Sequence, residues 1–296
     1  VMEQAYYHDR NKTEALLFDI IKHNSTEQAL GWLQQQQEKL GVPVSVQRFN
    51  LTFTAIPRFA GKQLVQTEQA FIALSDGTPF FIQGSTLDKV VRLWWLLQLP
   101  ADDKDAYVKV IEGLFDAADM NEQAALYSAL PLLAWPDAWV FRTTEGIRSN
   151  IGPVQEAVML HNVYPSRHLN EPAWNQLVMK AFFTDKPIHL ITGLDERANQ
   201  SLAAILTDYA HERWAAGRKV HPLLWRLVGP FITADNFADI QRVWNSAVNV
   251  EKEAAALACA SSTYAPALAL LEQSATLKEE IAGNRLTWDS VAARIA

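Results

Sequence analysis

Apolar residues recur along this chain at the 3.6-residue period of an α-helix far more often than at the two-residue period of a strand. Leu87, Val90, Val91, Trp94 and Leu97 are spaced 3, 1, 3 and 3, which gathers them on one helical face. Asp88 and Arg92 stand at i,i+4 on the other face, where they can pair. The same spacing returns in Tyr107, Val110, Ile111, Leu114 and Phe115, in Trp174, Leu177, Val178, Ala181 and Phe182, and in Leu202, Ile205, Leu206 and Tyr209. Each set predicts an amphipathic helix of about three or four turns.

The punctuation agrees. Pro153, Pro172 and Pro222 suit first helical turns, where a missing N–H removes no bond. Gly217 and Gly229 suit left-handed positions just past helix ends. Asn170 and Thr287 are placed as N-caps, with side-chain oxygens able to accept from the orphan amides of the next turn. One stretch is ambiguous. Residues 44–53 alternate in part and are β-branched, as in a strand, and residues 70–83 carry Asp76-Gly77 between two apolar runs, a hairpin signal. Because a lone two-stranded ribbon is marginal unless something covers it, helix is preferred for residues 46–56.

Near the C-terminus two Ala-rich segments, 254–260 and 265–271, are separated by Ser261-Ser262-Thr263. Small residues let short helices approach closely, as in one unit of a HEAT-like array, although no strict period of about 40 to 47 residues runs through the chain. The expected fold is all-α, an irregular HEAT-like α-helical solenoid or curved helical array. Residues 1–245 would form the main helical domain and residues 246–296 a helical cap continuous with it.

Composition adds limits. With 49% hydrophobic residues, 20% charged residues and ten tryptophans, the chain can bury a core without metals or disulfides. The single cysteine, Cys259, lies in an apolar run and has no partner for an intrachain disulfide. No run approaches the roughly 18 apolar residues needed to span a bilayer. The first twelve residues also lack the basic-then-apolar order of a signal peptide. A cytoplasmic protein with no transmembrane segment is expected. A net charge of −7 without clustered Lys or Arg argues against nucleic acid as a partner.

Candidate chemistry concentrates between Glu145 and Arg226, which holds five of the seven histidines. Asp208, His211 and Glu212, at i, i+3 and i+4, project from one side of a helix and suit a metal half-site or an acid/base pair. No complementary His-x-x-Glu-His or Cys-x-x-Cys follows, so no metal is assigned. Glu145 and Arg148, at i,i+3, read as an ion pair, with Asn150 capping the next element. The long connection from Asp185 to Asn199 carries Asp195, Arg197 and Asn199, which can tie it down. There is no Gly-x-Ser-x-Gly elbow or glycine-rich phosphate loop, so neither familiar catalytic machinery nor a cofactor is expected. Leu93-Trp94-Trp95, Trp135 to Trp139 and Phe182-Phe183 read mainly as core, with some aromatic rings available to a flat, lipophilic ligand.

Several of these words occur in an order that resembles the EboA family, whose members belong to a gene cluster linked to handling and export of specialised metabolites. The resemblance is carried by Leu130-Pro-Leu-Leu, Glu145-Gly-Ile-Arg-Ser-Asn-Ile151, Asn162-Val-Tyr-Pro165, Ala173-Trp-Asn-Gln176, Gly193-Leu-Asp-Glu-Arg-Ala-Asn199, Asp208-Tyr-Ala-His-Glu-Arg-Trp214 through Arg218, and Leu224-Trp-Arg-Leu-Val-Gly-Pro-Phe231. It spans about residues 28 to 245. It implies a metabolite-traffic protein without an established reaction, working beside a membrane prenyltransferase-like protein and TIM-barrel-like proteins, and it supplies no catalytic residues.

The leading expectation is a non-catalytic carrier or adaptor that holds a small lipophilic metabolite, or a protein encoded in the same cluster, on a concave helical surface. An enzyme using Asp208, His211, Glu212 and Lys180 as acid/base groups is the second reading, and a pure protein–protein scaffold the third. The expected ligand- or partner-binding set is Glu145, Arg148, Asn150, Asn175, Lys180, Asp195, Arg197, Asn199, Asp208, His211 and Glu212. Glu145, Arg148, Asn150, Asn175, Asp195, Arg197, Asp208 and His211 are expected to meet in one polar cleft, because an unpaired buried polar group costs about 1–3 kcal/mol.

Overall fold

Side-chain caps start many of the seventeen α-helices found among the described residues, 5–295, of the computed structural model. The chain divides into two units, one ending at Leu169 and the other beginning at Asn170. The first unit opens with α1 (Arg10–Asn24), α2 (Glu27–Lys39) and α3 (Val46–Phe59), capped in turn by the side chains of Asp9, Thr26 and Ser45. A hairpin of β1 (Phe71–Ala73) and β2 (Pro79–Phe81) follows. Then come α4 (Leu87–Leu96), α5 (Lys104–Ala117), α6 (Met120–Ser128), α7 (Val140–Arg148), α8 (Gly152–Met159) and α9 (Tyr164–His168).

Both ambiguous stretches resolve through burial. In α3, Phe49, Thr52, Phe53 and Ile56 are buried at helical spacing, so the apparent alternation around residues 44–53 has no structural counterpart. The hairpin forms at Asp76-Gly77, with Gly77 in the left-handed region at φ +84° and Ile72 opposite Phe80 in an antiparallel register. It is not a bare ribbon. Ile72, Leu74, Phe80 and Ile82 are all buried, which supplies the covering that two strands need.

The helix α4 corrects a second expectation. Asp88 and Arg92 do pair at i,i+4, but they are 6% and 2% exposed rather than on a solvent face. The reason is that α4 packs against α1, α3 and α6, so nearly its whole circumference is enclosed.

The second unit contains α10 (Glu171–Phe183), α11 (Gln200–Ala215), α12 (Leu224–Val228), α13 (Phe237–Trp244), α14 (Asn249–Ala260), α15 (Ala265–Leu271), α16 (Ala275–Ala282) and α17 (Trp288–Ile295). Its centre is α14, which packs against α12, α13, α15, α16 and α17 and buries Ala254, Ala255, Ala256, Ala258 and Cys259. Burial pushes the Cys259 thiol up to about 11. Asn170 caps α10, accepting from the Ala173 N–H, and Thr287 accepts from the Ser290 N–H at 3.1 Å at the start of α17. Gly217 takes the left-handed conformation at φ +66°.

Three local readings are revised. Gly229 is right-handed, at φ −48°; a Cβ there would stand 2.8 Å from the Cα and carbonyl oxygen of Ala258. Close backbone approach, not a left-handed turn, therefore requires the glycine. Pro222 lies in the turn before α12 rather than inside its first turn. Ile205 is 41% exposed although Leu202 and Leu206 of the same helix are buried, because α11 buries Ala203, Thr207 and Ala210 instead. No helix among the described residues is long and apolar enough to cross a membrane.

Candidate functional site

The first unit holds a cavity of about 320 Å³, open on one side. Its walls are Phe80 and Phe81 of β2, the turn at residues 83–85, Lys89 and Leu93 of α4, Ala124 and Ser128 of α6, Pro153, Glu156 and Ala157 of α8, and the turn at residues 160–162.

Two features of α4 set the electrostatics. Arg92 lies between two carboxylates, with Nη1 3.5 Å from Asp88 Oδ2 and Nη2 3.5 Å from Glu122 Oε1, and its Nε donates to the Phe53 carbonyl at 3.2 Å. Glu122 also accepts from the Asp119 N–H at 2.9 Å, so one side chain both caps α6 and ties it to α4. Desolvation pulls the Arg92 pKa below its ordinary value against the opposing pull of Glu122, Asp88 and Asp119. Lys89, on the cavity wall, is different. It makes no hydrogen bond or ion pair among the described residues, and burial lowers its pKa, with Asp88 alone pulling the other way.

The far wall is held by Asn162, which is buried. Its Nδ2 donates to the carbonyls of Tyr127 and Ala157, both at 2.9 Å, and its Oδ1 accepts from the Tyr164 N–H at 3.0 Å. One amide thus fastens the turn before α9 to α6 and α8. The residue before it, His161, has a left-handed φ of +51°, and its ring centroid stands 4.0 Å from that of Phe81. A left-handed non-glycine residue costs of order 1–3 kcal/mol and is characteristic of ligand clamps. Gly146 completes the scaffold, because a Cβ there would meet the Tyr127 ring at 2.7 Å and Val158 at 2.8 Å. Burial raises the Tyr127 phenol to about 12.

None of the eleven residues expected from the sequence lines this cavity. In the first unit, Arg148 Nη1 pairs with Glu145 Oε1 at 3.0 Å on the exposed side of α7. Asn150 does not cap α8. That helix begins a residue later, with Ile151 at the N-cap and no side-chain capping bond. In the second unit, Asn175 and Asn199 form a reciprocal amide pair, with Asn199 Nδ2 2.8 Å from Asn175 Oδ1. Asn199 also caps α11 through the Leu202 N–H and donates to the Arg197 carbonyl, while the Arg197 guanidinium sits 5.1 Å from the centre of the Trp174 ring. The connection is thus tied down by its own polar side chains.

The remaining residues face outward. Asp195 accepts two bonds from Arg226, both at 2.7 Å, and His211 Nε2 lies 2.8 Å from Asp239 Oδ1. Asp208, His211 and Glu212 are exposed on α11, and Lys180 is in the last turn of α10. Sequence spacing missed Lys89, the one lysine of α4, which stands beside the Asp88–Arg92 pair, and the anchoring role of Asn162. It also missed Arg226 and Asp239, whose proximity to Asp195 and His211 arises only on folding.

The sequence profile described as "Metabolite traffic protein EboA" matches residues 13–229. The chain belongs to the EboA family. No curated protein and no solved structure matches it. The family segment contains every residue of the cavity wall, and both Gly146 and Asn162 fall in words that carried the resemblance. Asp239, the partner of His211, lies beyond that segment.

Proposed function

We propose that this EboA-family protein is a non-catalytic carrier in metabolite traffic and that it holds a small, largely apolar metabolite in the cavity between the hairpin, α4, α6 and α8. The observation that carries the reading is the cavity's composition. Phe80, Phe81, Leu93 and Leu160 offer apolar and aromatic contact, while Gln83, Ser85, Lys89, Ser128, Glu156 and His161 offer polar groups. That mixture, in a volume near the lower end of the roughly 300–1,000 Å³ range of small-molecule sites, suits a compact aromatic or isoprenoid-like body with one polar end. Proteins encoded in the same cluster would deliver and accept it.

The acid/base reading of Asp208, His211, Glu212 and Lys180 receives less support, because these carboxylates are solvated and the imidazole is paired with Asp239 on an exposed surface. The scaffold reading leaves the left-handed His161 and the cavity beside it without a role. Native mass spectrometry of protein purified from its host tests the proposal. The wild type should retain a small organic molecule, and Ala157→Phe, which fills the cavity from α8, should lose it while keeping its far-ultraviolet circular dichroism. A ligand-free wild type, or equal retention by the variant, would overturn the carrier reading.

A further inference from the structure

We infer that Lys89 is an imine-forming amine and that the cavity's ligand is an aldehyde or ketone held reversibly as a Schiff base. The inference rests on the carrier reading and adds the chemistry by which the ligand is held. Its basis is the contrast between Lys89 and the other basic side chains of the first unit that are drawn into the protein. Arg92 is flanked by Asp88 and Glu122, Arg142 by Glu112 and Asp116, and Arg10 pairs with Glu14. Lys89, half-buried on a cavity wall with Phe80 and Leu93, has no such partner among the described residues.

Its neighbour Asp88 makes no ion pair with it: Oδ2 faces Arg92 Nη1 at 3.5 Å, and Oδ1 is buried without a hydrogen-bond partner among the described residues. An ammonium partly withdrawn from water without a counter-ion is costly, whereas a neutral amine in the same place is not. Desolvation accordingly lowers the Lys89 pKa, which raises the fraction carrying a free lone pair near neutral pH. Such an amine is a poor permanent anion receptor, and the Glu156 carboxylate on the same wall further disfavours an anionic ligand.

The step balances without an added oxidant or reductant. The Nζ lone pair attacks the carbonyl carbon, the C=O π pair moves to oxygen and is protonated, and a carbinolamine forms. Loss of that hydroxyl with the remaining N–H proton releases one water and leaves C=N. Hydrolysis reverses each bond change and frees ligand and lysine. A reversible covalent link adds retention to the apolar contacts of the cavity, and release needs only water.

The test uses the full chain with benzaldehyde and sodium cyanoborohydride at neutral pH, where hydride reduces the imine to a stable secondary amine. Peptide mapping should find Lys89 carrying the mass of benzaldehyde less its oxygen, labelled several-fold faster than the exposed Lys39 and Lys109. Ala157→Phe should abolish labelling at Lys89 and leave Lys39 and Lys109 unchanged. Benzyl alcohol, which cannot form an imine, is titrated in parallel by ligand-observed NMR. Labelling of Lys89 no faster than of Lys109, with benzyl alcohol still bound, overturns the imine and leaves the carrier reading standing. Absence of both labelling and alcohol binding overturns the two together.

Discussion

In the first unit Asp88, Arg92 and Glu122 are buried side by side, and they are all of the buried Asp, Glu, Lys and Arg among the described residues; the second unit buries Asn175, Thr207 and Ser262 and keeps its ion pairs outside. The two also differ in how their helices meet. Around α4 the contacts are made by large rings, with Phe49 stacked on Trp95 and the Trp95 indole N–H donating to the Phe49 carbonyl at 3.0 Å. Around α14 they are made by alanines, with Gly229 close against Ala258. Small side chains let backbones close up, as Gly229 and Ala258 do. Asp208, His211 and Glu212 of α11 are solvated, whereas Asp88 and Arg92 of α4 are enclosed.

Arg92→Met should produce the largest effect. It strands the Asp88 and Glu122 carboxylates in the interior, which typically costs about 3–5 kcal/mol. Urea denaturation measures it, and a loss under about 1 kcal/mol would place this triad with surface pairs and erase the contrast. Gly229→Ala comes next, at about 1–3 kcal/mol, because the added methyl meets the Ala258 backbone as well as the Ser261 hydroxyl, and the backbone cannot turn aside. An unchanged thermal midpoint would show that α14 can retreat at no cost.

Lys89→Met should raise the thermal midpoint near neutral pH. The sign follows from the lowered folded-state pKa. Between that value and the unfolded value of about 10.4 the unfolded chain binds more protons, so the native lysine is most destabilising on the acid side. The advantage of the variant should therefore shrink as pH rises toward the unfolded pKa, and a gain independent of pH would mean that packing alone produced it. The smallest effect is expected for Arg226→Ala. Despite two bonds of 2.7 Å, the Asp195 side chain is 60% exposed, and the loss should stay within about 1 kcal/mol. A larger loss would show that the second unit also depends on a fixed ion pair.

Local spacing was enough for the all-α class, for the helices around Leu87, Tyr107, Trp174 and Leu202, and for the Asn170 and Thr287 caps. A turn of helix and its cap involve residues three or four apart, so the information lies in adjacent letters. The ordered words that signal the EboA family are likewise linear. What Asp88 and Arg92 face was decided by Glu122 and by the packing of α1, α3 and α6 around α4. Gly229 was decided by Ala258, the hairpin by burial of Ile72 and Phe80, and the partners of Asp195 and His211 by α12 and α13. The cavity draws its wall from the hairpin, three helices and two turns. A period of 3.6 residues says which side chains share a face, but whether that face meets water or another segment depends on contacts between residues far apart in the chain, which only the folded packing brings together.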